Sequence, residues 1–370
     1  MAEAEMVIDV IGLQQLLDLL GEEHTVIGPV VKDGIIGLGE IARMDQLPQG
    51  VGDIQEPGSY RLRDRSDNAY FGFAASGQPW KRLLFPPRER ICTSVEDDGR
   101  LAIEPADATP TRPYALVGVR GCDLAALRIH DHVLLDRGFA DDRYEQRRAS
   151  AFIVAVSCGD PVSTCFCTSM GTGPHPGPGY DLALTEMLDG DHRFLVEIGT
   201  DRGAAIATRL NSRPAAAGDT ASARTVVERA AARITRSLDT TDIRDLLYAN
   251  AEHPRWDDVA ARCLTCGNCT MACPTCFCTG IEDTSDLDGV HSERFRVWDS
   301  CFTGEFSYLH GGSVRPSPRS RYRQWMTHKL ASWIDQFGMS GCVGCGRCIA
   351  WCPVGIDITE EVRAIRGDER

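Results

Sequence analysis

Short apolar runs rich in β-branched residues alternate with helical patterns over the first 200 or so residues. The apolar runs predict strands at residues 25–38, 114–119, 151–157 and 193–199. Helical spacing of apolar residues predicts helices at residues 13–20 and 123–135. We therefore predict an N-terminal α/β-type domain over residues 1–210.

The residue composition and the pattern of apolar positions change after this region. Residues 211–224 are rich in Pro, Ala, Gly and Ser and show no period, which predicts a linker. A helical pattern follows, so residues 211–252 are interpreted as a linker and a helix. From residue 253 onward, cysteine-rich loops are separated by a mainly helical insert that includes residues 323–338. This pattern predicts a second domain over residues 253–370.

Composition places the chain among ordinary globular proteins and decides how its cysteines are interpreted. The 370 residues are 43% hydrophobic and 25% charged, and no apolar run reaches the roughly 18 residues needed to cross a bilayer, so no membrane insertion is predicted. The acidic N-terminus differs from a secretory signal and predicts a cytoplasmic protein. In that reducing compartment the 16 cysteines are expected to be thiols or metal ligands. The net charge of −14 argues against a nucleic-acid partner.

Two cysteine runs of identical spacing carry the strongest chemical signal. "CLTCGNCTMACP" and "CVGCGRCIAWCP" both match C-x2-C-x2-C-x3-C-P, which binds 4Fe–4S clusters. In two-cluster ferredoxins, the first three cysteines of a run bind one cluster and the fourth binds the other. We therefore assign the first cluster to Cys263, Cys266, Cys269 and Cys352. The second cluster is assigned to Cys342, Cys345, Cys348 and Cys273.

Zinc is the alternative occupant of these runs. Structural zinc sites usually show two separate Cys-x-x-Cys pairs, whereas both runs here are complete and end in proline. The long separation between Cys273 and Cys342 favours the all-helical type of ferredoxin. The predicted fold class is therefore α+β, with the α/β-type domain followed by a mainly helical two-cluster ferredoxin domain.

Four further cysteines lie just beyond predicted strands of the first domain. They occur in "RGCD" and "SCGDPVSTCFCTSMGTGP" and are Cys122, Cys158, Cys165 and Cys167. Ligands usually bind beyond the carboxyl ends of the strands in α/β sheets. These four cysteines therefore predict a third iron–sulfur cluster. An ordinary surface loop is the alternative, because their spacing is irregular.

The pentapeptide "TCFCT" occurs twice, at residues 164–168 and 275–279. The second copy supplies Cys276 and Cys278, and Cys92 and Cys301 also lie outside the established patterns. Packing of thiols in the protein interior is the favoured interpretation of these four, with metal binding as the alternative. The two copies are thus predicted to differ, with ligands in the first and packing in the second.

Several common active-site motifs are absent from the sequence. No G-x-G-x-x-G follows a strand, and neither a P-loop nor a nucleophile elbow occurs. The sequence therefore predicts no nicotinamide, flavin or nucleotide site and no catalytic residue. A chain that carries electrons without performing the terminal chemistry fits this pattern. A self-contained iron–sulfur enzyme and a redox sensor are the alternatives from other classes.

The motifs taken together resemble a known family. "GVRGCDLAALRI", "CFCTSMGTGP", "ARCLTCGNCTMACPTCFC", "VWDSCF" and "CVGCGRCIAWCPVGIDI" are similar to the iron–sulfur beta subunit of cytosolic NAD(P)-linked nickel–iron hydrogenases, the sulfhydrogenases. They also resemble the A subunit of anaerobic sulfite reductase. The resemblance runs from about Tyr114 to the C-terminus and carries the family's cluster ligands over to the eight cysteines of the two runs.

The resemblance implies an electron-transfer subunit with no catalysis of its own. Electrons would pass through its 4Fe–4S clusters between a flavin- and NAD(P)-binding partner subunit and the small and large subunits of the hydrogenase. In the alternative, the equivalent subunit of a sulfite reductase, the partner at the far end carries sirohaem. The direction of electron flow and the choice between NADH and NADPH stay open.

Overall fold

The computed structural model describes residues 5–97, 100–106, 112–136 and 138–367. An eight-stranded sheet with helices on both faces forms the N-terminal part, and helices joined by cysteine-bearing loops form much of the C-terminal part. This confirms the α+β fold class. Within the described residues, no helix has the length and apolar character that a membrane crossing requires.

The strands are β1 (Met6–Asp9), β2 (Thr25–Lys32), β3 (Ile35–Glu40), β4 (Val51–Glu56), β5 (Ser59–Asp64), β6 (Arg88–Asp97), β7 (Arg100–Pro105), β8 (Tyr114–Val119), β9 (Phe152–Val156), β10 (Leu182–Met187), β11 (Arg193–Ile198), β12 (Arg213–Pro214), β13 (Thr279–Ser285), β14 (His291–Trp298), β15 (Tyr308–Leu309) and β16 (Gly312–Ser313).

The α-helices are α1 (Val10–Glu23), α2 (Lys81–Leu84), α3 (Gly121–Leu134), α4 (Asp142–Ser150), α5 (Asp201–Ala207), α6 (Ala217–Arg233), α7 (Ile243–Ala249), α8 (Arg255–Arg262), α9 (Asn268–Met271), α10 (Pro318–Thr327), α11 (Trp333–Phe337), α12 (Arg347–Ala350) and α13 (Ile358–Arg366). Short 3-10 turns occur at Met44–Gln46 and Cys167–Met170, and a π-helical turn at His328–Ser332 joins α10 to α11.

The large sheet has the strand order β12-β1-β11-β10-β9-β8-β2-β3, and the four consecutive strands β10, β9, β8 and β2 are parallel to one another. Parallel strands are covered on both faces and therefore read as continuous apolar runs. In β9, Val154 packs in the core on the α1 side, whereas Ile153 packs in the core that contains Leu124 of α3. The apolar runs thus place β8 and β9 at the centre of the sheet.

Most of the predicted elements of this part are confirmed. The predicted strands at residues 114–119, 151–157 and 193–199 correspond to β8, β9 and β11, and the predicted helices lie within α1 and α3. The prediction of one strand over residues 25–38 is wrong, because Asp33 and Gly34 turn the chain into the hairpin of β2 and β3. Both turn residues have positive φ, 52° and 75°, as a two-residue Asp-Gly hairpin turn requires.

Much of the stretch 211–224, which shows no period in the sequence, has regular structure. β12 pairs with β1 at the edge of the large sheet, and α6 begins shortly after it. Asp219 accepts hydrogen bonds from the Ala216 amide and the Arg213 guanidinium, which fixes the turn between strand and helix. Alanine, which is frequent in this stretch, is the strongest helix former.

The segment between the two cysteine runs is not helical throughout. β13 and β14 form a hairpin, and β14 pairs with β6, which gives a second sheet of order β13-β14-β6-β7. This sheet joins strands from both halves of the chain, so the N-terminal and C-terminal parts are interlocked. The division into residues 1–210, 211–252 and 253–370 stays a prediction.

Candidate iron–sulfur sites

The cysteines assigned to the first cluster lie around one cavity. Its lining includes Cys263, Cys266, Cys269 and Cys352. Cys263 directly follows α8, and the chain then turns through Thr265 and Gly267, which have φ values of 51° and 76°. These two left-handed residues wind the loop tightly, so three cysteines of one run face the same cavity as the last cysteine of the other.

Two polar side chains at this cavity have no hydrogen-bond partner within the described parts of the chain. They are the Tyr322 hydroxyl and the Trp325 indole N–H, and both residues are buried. A buried donor without an acceptor costs about 1–3 kcal/mol. Thiolates and the sulfides of a cluster are acceptors, so a bound 4Fe–4S cluster fits the groups that surround this cavity.

The cysteines assigned to the second cluster influence one another electrostatically. Burial raises the pKa of Cys348, and the neighbouring Cys342, Cys345 and Cys273 raise that pKa further. Burial also raises the pKa of Cys342 to about 12. Thiols with such raised pKa values stay protonated unless a metal displaces the proton, whereas a hydrogen bond from Cys276 and the nearby Lys329 lower the pKa of Cys273. The last cysteine of the first run therefore lies near the first three of the second, as crossed ligation requires.

The arrangement of donors differs from that of a zinc site. Among the residues that the structure describes, no three Cys, His, Asp or Glu side chains converge closely enough to hold a single metal ion. Zinc requires such convergence, because all four of its ligands bind one atom. A four-iron cluster binds each thiolate to a different iron, so its ligands are spread around a larger volume.

A second cavity brings together the four cysteines of the predicted third site. Its lining includes Cys122, Cys158, Cys165 and Cys167. Cys122 follows β8 and Cys158 follows β9, and these two strands are parallel neighbours. Their carboxyl ends therefore lie side by side at one edge of the sheet, where α/β folds usually bind ligands. The loop that enters the Cys167–Met170 turn brings the remaining two cysteines to the same place.

Arg120 supplies a buried positive charge at this second cavity. It is 3% exposed and donates hydrogen bonds to the carbonyl oxygens of Phe71, Phe73 and Ser157 at 2.7 to 3.1 Å. Its Nε has no partner, and no carboxylate of the described residues forms a salt bridge with it. A buried cation needs a compensating negative charge, which cysteine thiolates bound to a cluster would supply. Sequence reasoning missed Arg120, although it lies two positions before Cys122.

The loop of the second run packs directly against the first "TCFCT" copy. The Phe166 amide donates a hydrogen bond to the Gly344 carbonyl oxygen at 2.8 Å, and Cys345 lines the cavity of the third site. Gly344 has a φ of 64°, and a Cβ there would lie 2.5 Å from the Phe166 oxygen and 2.7 Å from the Cys167 Cα. Only glycine permits this close approach of two backbones.

We expect Gly344→Ala to destabilise the protein more than Gly338→Ala. Gly338 has a similar φ of 69°, but a Cβ there would meet nothing within 4 Å. Both substitutions cost roughly 1–2 kcal/mol for the left-handed backbone, and the clash at Gly344 adds about 1–3 kcal/mol. Anaerobic thermal unfolding of both variants measures the difference. Equal losses of Tm would show that the two loops do not need this contact.

The second "TCFCT" copy also lies at a cavity. Cys276, Cys278 and Cys301 line it together with His328 and Lys329. Cys92 is separate from this group: it lies on β6, and it lines none of the three cysteine-bearing cavities. Packing was the prediction for all four cysteines, and the structure distinguishes Cys92 from the other three.

Comparison with known proteins adds two findings. The model of the 4Fe-4S dicluster domain matches residues 262–356, which include both cysteine runs. The Sulfhydrogenase 2 subunit beta of Pyrococcus furiosus is 30% identical over 336 residues, covering 87% of this chain and 94% of that protein. The chain belongs to the sulfhydrogenase beta-subunit family. Its resemblance to that family is thereby confirmed.

Membership in the sulfhydrogenase beta-subunit family fits the cysteine sites described above. The dicluster match makes the C-terminal part an iron–sulfur domain, and the chain is an iron–sulfur electron-transfer subunit. The four cysteines of the third site lie outside residues 262–356, so their grouping rests on the fold of the N-terminal sheet.

Proposed function

We propose that this chain relays electrons through three 4Fe–4S clusters in a cytoplasmic complex. One partner is a flavin- and NAD(P)-binding subunit, and the others are the small and large subunits of a nickel–iron hydrogenase. The observation that carries the proposal is the contiguity of the three cysteine sites, which form one row from the N-terminal sheet to the C-terminal helices.

The second site links the other two. Cys345, which belongs to the second run, lines the cavity of the third site, and Cys348 of the same run lines the cavity of the first. The second cluster would therefore lie between the first and the third. A 4Fe–4S cluster supplies a one-electron carrier whose potential depends on charge, hydrogen bonds and solvent exposure.

The residues of this chain have three tasks in the proposed relay. Cysteines hold the clusters in the crossed arrangement, with Cys352 completing the first site and Cys273 the second. Apolar side chains such as Phe302 exclude water from the first cavity. Buried donors and cations at the cavities, including Arg120, favour negatively charged occupants. These residues would thus bind the carriers and tune them without reacting themselves.

The choice of partners rests on the family and on the sequence. The relative from Pyrococcus furiosus is named as a beta subunit of a sulfhydrogenase, which supports an assembly with hydrogenase subunits over one with a sirohaem subunit. The chain has no recognisable flavin or nicotinamide motif. The proposal therefore assigns the exchange of electrons with NAD(P) to a partner subunit.

The experiment is to purify the native complex anaerobically through a tag on this chain, with wild type and Cys165→Ser side by side. We expect nickel and flavin to copurify in both. The variant should contain about four irons fewer per chain, as loss of one 4Fe–4S cluster predicts. It should also lose hydrogen production driven by NAD(P)H but keep hydrogen production driven by a reduced dye that feeds the nickel–iron subunits directly.

Cys92→Ser is the matched control, since it removes a partly buried thiol outside the three cavities. Its iron content and NAD(P)H-linked activity should equal those of the wild type. Unchanged iron in Cys165→Ser would exclude the third cluster. Sirohaem in place of nickel in the purified complex would favour the sulfite reductase assignment.

A further inference from the structure

The second "TCFCT" copy repeats the arrangement of the first. In the first copy, Cys165 and Cys167 line a cavity that also receives cysteines from loops after β8 and β9. In the second copy, Cys276 and Cys278 line a cavity that also receives Cys301 from the loop after β14. In both copies, the same local sequence therefore brings a Cys-x-Cys pair to a cavity with further cysteine from elsewhere in the chain.

The second copy is surrounded by buried positive charge. Lys329 is 6% exposed, and its Nζ lies 3.3 Å from the Cys273 Sγ and 3.9 Å from the Cys276 Sγ. Lys81 is 3% exposed, donates a hydrogen bond to the Cys276 carbonyl oxygen and lies 4.1 Å from the centre of the Trp298 ring. Two ammonium groups are thus buried beside one Cys-x-Cys loop.

Neither lysine forms a salt bridge with a carboxylate of the described residues. Burial of an ammonium group without a counter-charge is costly. The proposed second cluster can balance Lys329 through Cys273. The only backbone group of the described residues that accepts a hydrogen bond from Lys81 is the Cys276 carbonyl oxygen, so a negatively charged occupant at the second "TCFCT" copy would stabilise its ammonium group directly. Neutral packed thiols do not supply that charge.

The cavity has room for a ligand larger than a single ion. Its volume is about 250 Å³. His328 in the π-helical turn lines this cavity. The centre of its ring lies 6.4 Å from that of Phe277, the residue that separates Cys276 and Cys278 in the sequence.

We propose that Cys276, Cys278 and Cys301 bind a further iron–sulfur cluster, with His328 as the side chain placed to complete its ligation. This site lies beside two of the others. Trp325 lines both this cavity and that of the first site. Cys276 and Cys273 share the contact with Lys329. The further cluster would adjoin both ferredoxin clusters.

The test compares the anaerobically purified full-length chain with Cys278→Ser, Cys301→Ser and the double variant. With three clusters in the relay and this one in addition, the wild type should contain about sixteen irons. Each single variant should contain about four irons fewer and should lose the same reduced-state electron paramagnetic resonance signal. The double variant should lose no more iron than either single variant, because both cysteines serve one cluster.

Cys92→Ser again serves as the control, and Cys165→Ser separates this proposal from the proposed relay. A wild-type content of about twelve irons that falls by about four in Cys165→Ser would support the three-cluster relay and overturn the further site. The iron content of the wild-type protein therefore tests the further site even if the Cys278 variant fails to fold. Unchanged iron in both single variants, or loss of different signals in the two, would also overturn it.

Discussion

Cys352→Ser is expected to remove the cluster held by the first cysteine run, although Cys352 belongs to the second. The structure places this residue at the same cavity as Cys263, Cys266 and Cys269. Loss of one of four thiolates should reduce the iron content by about four atoms per chain or convert the cluster to a form with fewer irons. Iron analysis and electron paramagnetic resonance of the reduced protein measure both effects.

Two matched variants identify which cluster is affected. Cys266→Ser removes a ligand from the first run, and Cys342→Ser removes one from the second. Cys352→Ser should lose the same electron paramagnetic resonance signal as Cys266→Ser. It should retain the signal that is absent from Cys342→Ser. If Cys352→Ser instead resembles Cys342→Ser, each run holds its own cluster and the crossed arrangement is wrong.

The central strands and the third cysteine group could be predicted because their signals are local. β8 and β9 are buried on both faces, so each reads as a short apolar run. Once these strands are recognised, the positions of Cys122 and Cys158 follow, because the loops after parallel strands lie at one edge of the sheet. The two cysteine runs were recognisable from spacing alone, since a tight loop around a cluster fixes the number of intervening residues.

The second sheet could not be predicted from its own residues. β13 is mostly exposed, and its sequence lacks the alternation of apolar and polar residues that marks a half-buried strand. β7 has Leu101 and Ile103 at alternate positions, but the strand is exposed along its whole length, so these two residues cover no core. Their pairing depends on contacts between β6 and β14, which are far apart in the sequence. Alternation therefore identifies strands that cover a core, and it misses strands that extend a sheet into solvent.

The charged residues around the cysteines were also beyond sequence reasoning. Arg120, Lys81 and Lys329 are each buried in the structure, whereas a basic residue in an isolated sequence is most often exposed. Their burial becomes apparent only when the fold brings the cysteine loops around them. The same applies to the second "TCFCT" copy, whose role depends on Cys301 and on two lysines from distant segments.

Arg347→Met is expected to be the most destabilising substitution outside the cysteines. Arg347 at the start of α12 and Asp123 in α3 are 1% and 2% exposed, and their charged groups approach to 2.8 Å. Arg347 also donates a hydrogen bond to the Ser76 carbonyl oxygen. The pair thus joins the second cysteine run to α3, and the hydrogen bond to Ser76 joins it to the segment between β5 and α2. Removing the arginine leaves a buried carboxylate without its partner, which costs about 3–5 kcal/mol.

Anaerobic thermal unfolding of Arg347→Met, Asp123→Asn and the double variant measures this coupling. The double variant should recover part of the Tm lost in Arg347→Met, because it leaves no isolated charge. Arg294→Met is the control, since Arg294 and Asp283 form a pair that is more than half exposed and worth about 0–1 kcal/mol. A loss of Tm in Arg347→Met no larger than in Arg294→Met would mean that water reaches Asp123. In that case the second run would be held to the sheet by the backbone contact at Gly344 and by packing, and the ion pair would contribute little.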